Sequence, residues 1–269
     1  MPRLRFLSIA LFYAVGIGFA YSAPVPADAD WVTIRGRIVW PEKADIPNNP
    51  PVNLGGVGQD KEYALRGGPI FEDKVLVAPK TRGLKNVVVS LRPDSVEKNV
   101  LFPVEKIHPT LKDAKPTTYV VKSEYCRYDR RILAARLGDR IEYRNDQQVF
   151  DNIKFDNSEQ QSNRTQKPET SWTTDPLKGR IAVFESSIHY WMRGYVRIFD
   201  HPYFAITDED GDFVIPKAPT GKWRIHYWHE LGFHKGPEGR NGFPIDVKDE
   251  ARGVKTIPTV EFEEVRQLP

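Results

Sequence analysis

Apolar residues in this chain recur in short runs with a period of two. Val32, Ile34, Gly36, Ile38 and Trp40 fall on one side of a run, and Thr33, Arg35, Arg37 and Val39 on the other. That alternation predicts a half-buried strand. The run from Asn86 to Leu91 predicts a second, ended by Pro93. Further β-type runs follow at Tyr119 to Val121, Ile132 to Leu137, Arg140 to Arg144, Ile181 to Glu185, Gly194 to Phe199, Phe213 to Ile215 and Trp223 to Trp228. Turn-forming residues separate them at Gly138-Asp139, Asp210-Gly211 and Pro219-Thr220-Gly221. No long segment keeps a helical period, and 22 Pro and 19 Gly point the same way. The pattern predicts an all-β protein of sandwich type. Two polar stretches, Pro41 to Pro51 and Asp156 to Trp172, lack apolar rhythm and are predicted to be loops.

A chain of 269 residues is long enough for one large or two ordinary domains. Its start reads as an export signal over 1–20. Arg3 and Arg5 form the basic region, Phe6 to Ala20 is apolar, and small residues at Gly18-Phe19-Ala20 and Tyr21-Ser22-Ala23 offer cleavage points. Pro24 disfavours cutting after Ala23, which points to Ala20. The expected location is periplasmic or extracellular, with no membrane span after cleavage. Losing Arg3 and Arg5 takes the formal charge from +3 to +1, which implies no broad attraction to nucleic acid or anionic lipid. Cys126 is the single cysteine. It excludes an internal disulfide and is expected to be a small buried hydrophobe.

Candidate chemistry is concentrated in three places. His189 and Met192 stand three residues apart, a spacing at which a tight loop turns an imidazole and a thioether toward one point. Asp151 precedes Asn152 some distance upstream. His226, His229 and His234 form a second group, but 226 and 229 are an odd number apart and face opposite sides of a continuous strand. Asp208, Asp210 and Asp212 flank Gly211; Pro219 stands where a calcium loop needs a late acidic ligand, so a polar turn is expected. No nucleophile elbow, phosphate loop or dinucleotide fingerprint is present.

Leu137 to Asn145 followed by Asp151-Asn152-Ile153 resembles one half of a small cupredoxin. Ser186-Ser187-Ile188-His189-Tyr190-Trp191-Met192 resembles the CxxHxxM ligand loop of that family. The resemblance spans about residues 118–200. Flanking it, Thr207 to Phe213 and Ala218 to Trp223 resemble the second half of a prealbumin-like, carboxypeptidase regulatory-like domain, and Ile34 to Val39 with Asn86 to Leu91 resemble its first half. The expected organisation is a cupredoxin-like sandwich at 118–200, inserted in or next to a prealbumin-like sandwich built from 31–93 and 203–262. The whole is similar to secreted bacterial "methylamine utilization"-type proteins, through the runs His189 to Thr207 and Trp228 to Gly232.

What the resemblance implies about copper is contradicted at two positions. A type 1 centre needs a Cys thiolate, two His and a weak axial Met. Ser186 occupies the Cys position and Asp151 the first His position, so only His189 and Met192 carry over. The expected function is therefore an exported, non-catalytic binding or scaffold protein without a cofactor. Its partner would be a protein or cell-envelope component rather than nucleic acid, and Asp151, His189 and Met192 would be a vestigial site. The alternative is a periplasmic copper-binding or electron-transfer protein with a rearranged set, drawing on His201 or His229. A third is a metal-dependent enzyme with an open position at Asp151 and His189.

Overall fold

The computed structural model describes residues 30–55, 60–95, 97 and 100–263. The expected export signal lies outside the described residues. Trp31–Val39 pairs antiparallel with Asp212–Pro219, setting Ile34 opposite Ile215. It also pairs in parallel with Val254–Thr256 and Val260–Glu261. The alternation read from the sequence is the alternation of burial: Val32, Ile34, Ile38 and Trp40 are buried while Arg35 is exposed. Gly36 belongs to the inner series because a Cβ there would lie 2.6 Å from the Phe213 ring.

In a second sheet, Val88–Pro93 runs between Phe204–Ile206 and Gly221–His229, and Gly232–Phe233 and Phe243–Val247 extend it. Both sheets contribute to one core, which includes Ile34, Leu84, Leu91, Tyr203, Ile215 and Ile225. Strands from the two ends of the chain thus build one sandwich. Strands from the middle build the other. One of its sheets runs Ile132–Arg136, Arg193–Phe199, Ile181–Glu185, Asp151–Asp156 and Gln161–Gln166. The other runs Arg127–Tyr128, Thr118–Glu124, Arg140–Asn145 and Thr170–Thr173. Their shared core is centred on Phe184, Tyr143, Phe155 and Ile141.

The two sandwiches meet through Val88 and Trp228 of one and Ile132 and Ala134 of the other, with Tyr195, Phe199 and Phe204 packed around them. An ion pair crosses the same junction. The Arg131 guanidinium donates to Glu230 through Nη2 at 2.7 Å, with side chains 16 % and 5 % exposed. Burial this deep makes the pair costly to break rather than a large net gain. Among the described residues no helix is long and apolar enough to cross a membrane.

One expectation needs correction. The stretch from Asp156 to Trp172 is not a loop throughout. Gln161–Gln166 pairs over six positions with Asp151–Asp156, and Thr170–Thr173 pairs with Glu142 to Asn145. Both are edge strands with mostly exposed side chains, so the backbone ladder holds them and no apolar rhythm is needed. Short helices also occur, at Asp60–Arg66 and Pro109–Lys112, below the length at which a helical period shows. The turn at Asp210-Gly211 is present as expected. Gly211 has φ +78°, and a Cβ there would lie 2.0 Å from the Ile38 carbonyl oxygen.

Tyr203 ties a connecting segment to the first core. Its buried hydroxyl accepts the His108 N–H at 2.7 Å and donates to the Lys106 carbonyl at 3.1 Å. Tyr203→Phe removes both bonds at once. It is expected to lower unfolding free energy by about 1–3 kcal/mol, read as a shifted urea midpoint with an unchanged m-value.

Candidate functional site

Strand pairing brings the two sequence-distant candidates together. Ile181–Glu185 and Arg193–Phe199 are antiparallel neighbours joined by the segment 186–192, with Glu185 opposite Arg193. Ile181–Glu185 also pairs with the strand that Asp151 opens, setting Glu185 opposite Lys154. This register leaves the 186–192 loop beside Asp151. The loop closes on itself: Ser186 N–H donates to the Met192 carbonyl at 2.9 Å, and Met192 N–H to the His189 carbonyl at 2.8 Å.

Asp151, His189, Ser186 and Met192 are all buried, the first two with 0 % exposure. Ser186 Oγ donates to Asp151 Oδ1 at 2.8 Å and accepts the N–H groups of His189 at 3.1 Å and Ile188 at 3.2 Å. The Asn152 N–H also donates to Asp151 Oδ1, at 2.8 Å. His189 Nδ1 lies 3.6 Å from Asp151 Oδ1, an ion-pair separation slightly too long for a hydrogen bond. Asp151 Oδ2 and His189 Nδ1 have no hydrogen-bond partner within the protein. Burial works to lower the His189 pKa. The interactions with Asp151 and Cys126 outweigh it and raise the value from 6.5 to about 10. His189 thus holds its proton more tightly than a free imidazole does.

Cys126 and Asp60 complete this cluster, and neither was expected to belong to it. Cys126 Sγ lies 3.5 Å from His189 Nε2, and Asp60 Oδ2 lies 3.3 Å from the same nitrogen. Cys126 is buried, as expected of a small hydrophobe, but it also makes this polar contact. It sits with Tyr125 at the tip of a hairpin whose flanking residues Glu124 and Arg127 pair. Both tip residues have positive φ, 49° and 53°. A two-residue turn of this kind favours Asn-Gly, and side chains with a Cβ are strained there. The strain is held from outside: Gln147 Oε1 accepts the Cys126 N–H at 2.9 Å, and Trp191 Nε1 donates to the Cys126 carbonyl at 2.7 Å. No local signal in Tyr-Cys announces such a turn. Asp60 opens a helix of seven residues, with no motif around it.

Type 1 copper does not fit these residues. The Ser186 hydroxyl is already engaged in three hydrogen bonds and lacks a thiolate's charge, and Asp151 offers a carboxylate rather than the second imidazole that such a centre needs. Met192 packs beside Cys126 in an apolar cluster with Leu54, Tyr63 and Ile70. Among the described residues no three His, Cys, Asp or Glu side chains are arranged to hold a metal ion. His201 and His229, considered as extra donors, are engaged elsewhere. His201 Nδ1 accepts the Tyr203 N–H at 3.0 Å among the rings of Phe102, Phe199 and Tyr203, and His229 Nδ1 accepts the Leu231 N–H at 3.3 Å beside Phe262.

The other candidates are structural. Burial lowers the pKa of His226 to about 4 and of His229 to about 3, with nearby arginines adding to it. His234 is also lowered by burial, and its Nδ1 accepts the Glu263 N–H at 3.0 Å. Asp208 Oδ1 accepts the N–H groups of Asp210 and Asp212, and Asp212 forms an ion pair with Arg37. Those carboxylates stabilise a turn and a strand edge.

No family model matches the chain, and no curated protein matches it. The solved structures to which the chain is similar include cupredoxins. A purple cupredoxin from Nitrosopumilus maritimus is 15% identical, with 30% of this chain and 98% of that chain covered and a TM-score of 0.26. A proline-to-glycine variant of amicyanin, in its reduced Cu(I) form at pH 4, is 17% identical over 41% of this chain and 97% of that one, with a TM-score of 0.28. A reduced tryptophan-to-tyrosine variant of amicyanin is 18% identical, with the same coverage and TM-score. Similarity this low bears no functional conclusion. The sandwich architecture rests on the strand pairing itself.

Proposed function

We propose that this is an exported, non-catalytic binding or scaffold protein. Its inserted cupredoxin-like module has exchanged a copper site for a metal-free cluster of Asp151, Ser186 and His189. One observation carries the reading. The Ser186 hydroxyl donates to Asp151 while it accepts two loop N–H groups, so the residue at the sulfur position serves the loop and the carboxylate. The Asp151–His189 ion pair keeps the loop closed against the sheet end, and the sandwich presents its surfaces to a protein or cell-envelope component.

The test uses the mature protein loaded with Cu(II) or Zn(II) and passed through a desalting column. No stoichiometric metal is expected to remain, and no intense blue colour to develop. Tight copper that disappears on His189→Ala would defeat the metal-free reading.

A second reading, copper binding through a rearranged set, is favoured by the approach of Cys126 Sγ and Asp60 Oδ2 to His189 Nε2. Sulfur and imidazole are donors that suit copper and zinc. This reading requires metal retention that is lost on Cys126→Ser as well as on His189→Ala.

A further inference from the structure

Away from that cluster, the junction between the two sandwiches opens into a cleft of about 730 Å³. Arg92, Lys178, Arg180, Arg197 and Arg240 line it. Only two carboxylates, Glu159 and Asp200, stand against these five cations. Asp200 Oδ2 is already used, accepting the Phe102 N–H at 2.8 Å. Among the described residues, none of the five cations forms an ion pair with a carboxylate.

Arg197 is the centre of the arrangement. Its guanidinium lies 5.2 Å from the Trp228 ring, 5.6 Å from Phe233 and 5.8 Å from Phe199. Aromatic faces hold a cation in place but leave its N–H donors unused. Arg197 Nε is buried with no hydrogen-bond partner, and so is His226 Nε2 on the same cleft wall. The cations also oppose one another: burial and then Arg180 lower the Arg197 pKa to about 10, and burial with Arg224 and Arg180 lowers that of Arg92. A preoriented guanidinium with a free donor, surrounded by like charge, is suited to bind an anion. The cleft size falls in the range of about 300–1,000 Å³ typical of small-molecule sites. Leu91, Leu101, Ile181 and Phe199 give it an apolar wall.

We propose that this cleft binds a small organic ligand carrying a phosphate-type dianionic oxyanion head on an apolar body. Arg197 takes the head through its planar fork. Arg180 and Arg240, both exposed, add charge at the opening. The near-neutral charge of the chain as a whole makes this a local recognition site rather than part of a nucleic-acid surface.

Titration with phenyl phosphate, inorganic phosphate and phenol tests it, followed by calorimetry and by the fluorescence of the tryptophans. Phenyl phosphate is expected to bind saturably at one site per chain, more tightly than inorganic phosphate, while phenol does not bind. Arg180→Glu, an exposed change that keeps the fold, is expected to weaken phenyl phosphate by about tenfold or more. Arg197→Met should abolish binding, and Arg130→Glu, on a residue outside the cleft, should leave it unchanged. No saturable binding at about 10 mM ligand, or binding that Arg180→Glu leaves intact, overturns the proposal. Equal affinity for inorganic and phenyl phosphate overturns its apolar half.

Discussion

Asp151→Ala is expected to destabilise the folded chain by about 3–5 kcal/mol, the cost of breaking a buried pair by removing one partner. The variant leaves His189, wholly buried, without the carboxylate 3.6 Å from its Nδ1. It also takes the acceptor from the Ser186 hydroxyl and the Asn152 N–H. The effect has a definite pH signature. The His189 pKa is raised in the folded protein, to about 10 from 6.5. A raised value means that the folded state binds the proton more tightly than the unfolded chain, so its contribution is fully present below about pH 6.5. It is lost as pH rises through about 10. The difference in unfolding free energy between wild type and variant should therefore be largest in mildly acidic buffer and shrink steadily toward pH 10. Urea unfolding at four or five pH values measures it. A difference that stays constant across that range would show that the pair does not hold the proton.

Joining Ser186→Cys to Asp151→His is expected to create a blue copper centre. The two positions and His189 already converge: Ser186 Oγ and His189 Nδ1 both face Asp151 Oδ1, at 2.8 and 3.6 Å. A thiolate and a second imidazole there supply the donors that the present residues lack, with Met192 on the same loop. Because two direct ligands change, the gain in copper affinity should exceed the roughly 10–100-fold that outer-shell changes alone produce. The metal-free double variant should be less stable than wild type, since His189 loses one of its two carboxylate neighbours and keeps only Asp60, and copper should restore stability by mass action. Visible absorption, with thermal unfolding with and without copper, reads both effects. A double variant that folds yet stays colourless with copper would mean that positions 151 and 186 are not equivalent to the family's ligand positions.

The residues alone determined that the chain is built of strands. A period of two in Val32 to Trp40 requires one face to be buried, and Gly, Pro and Asp mark where strands stop. They also brought Asp151, Ser186, His189 and Met192 to attention, because the spacing of these residues resembles that of a cupredoxin ligand loop. Two elements were illegible for a local reason. Gln161–Gln166 and Thr170–Thr173 are edge strands whose side chains mostly face water, so their stability comes largely from a ladder with no counterpart in the side-chain pattern. Only the tertiary structure decided that Cys126 and Asp60 reach His189, and that five cations share a cleft almost empty of carboxylates. Such meetings depend on strand register and on how two sandwiches dock. Register and docking are set by the packing of whole faces, and no short run of residues encodes them.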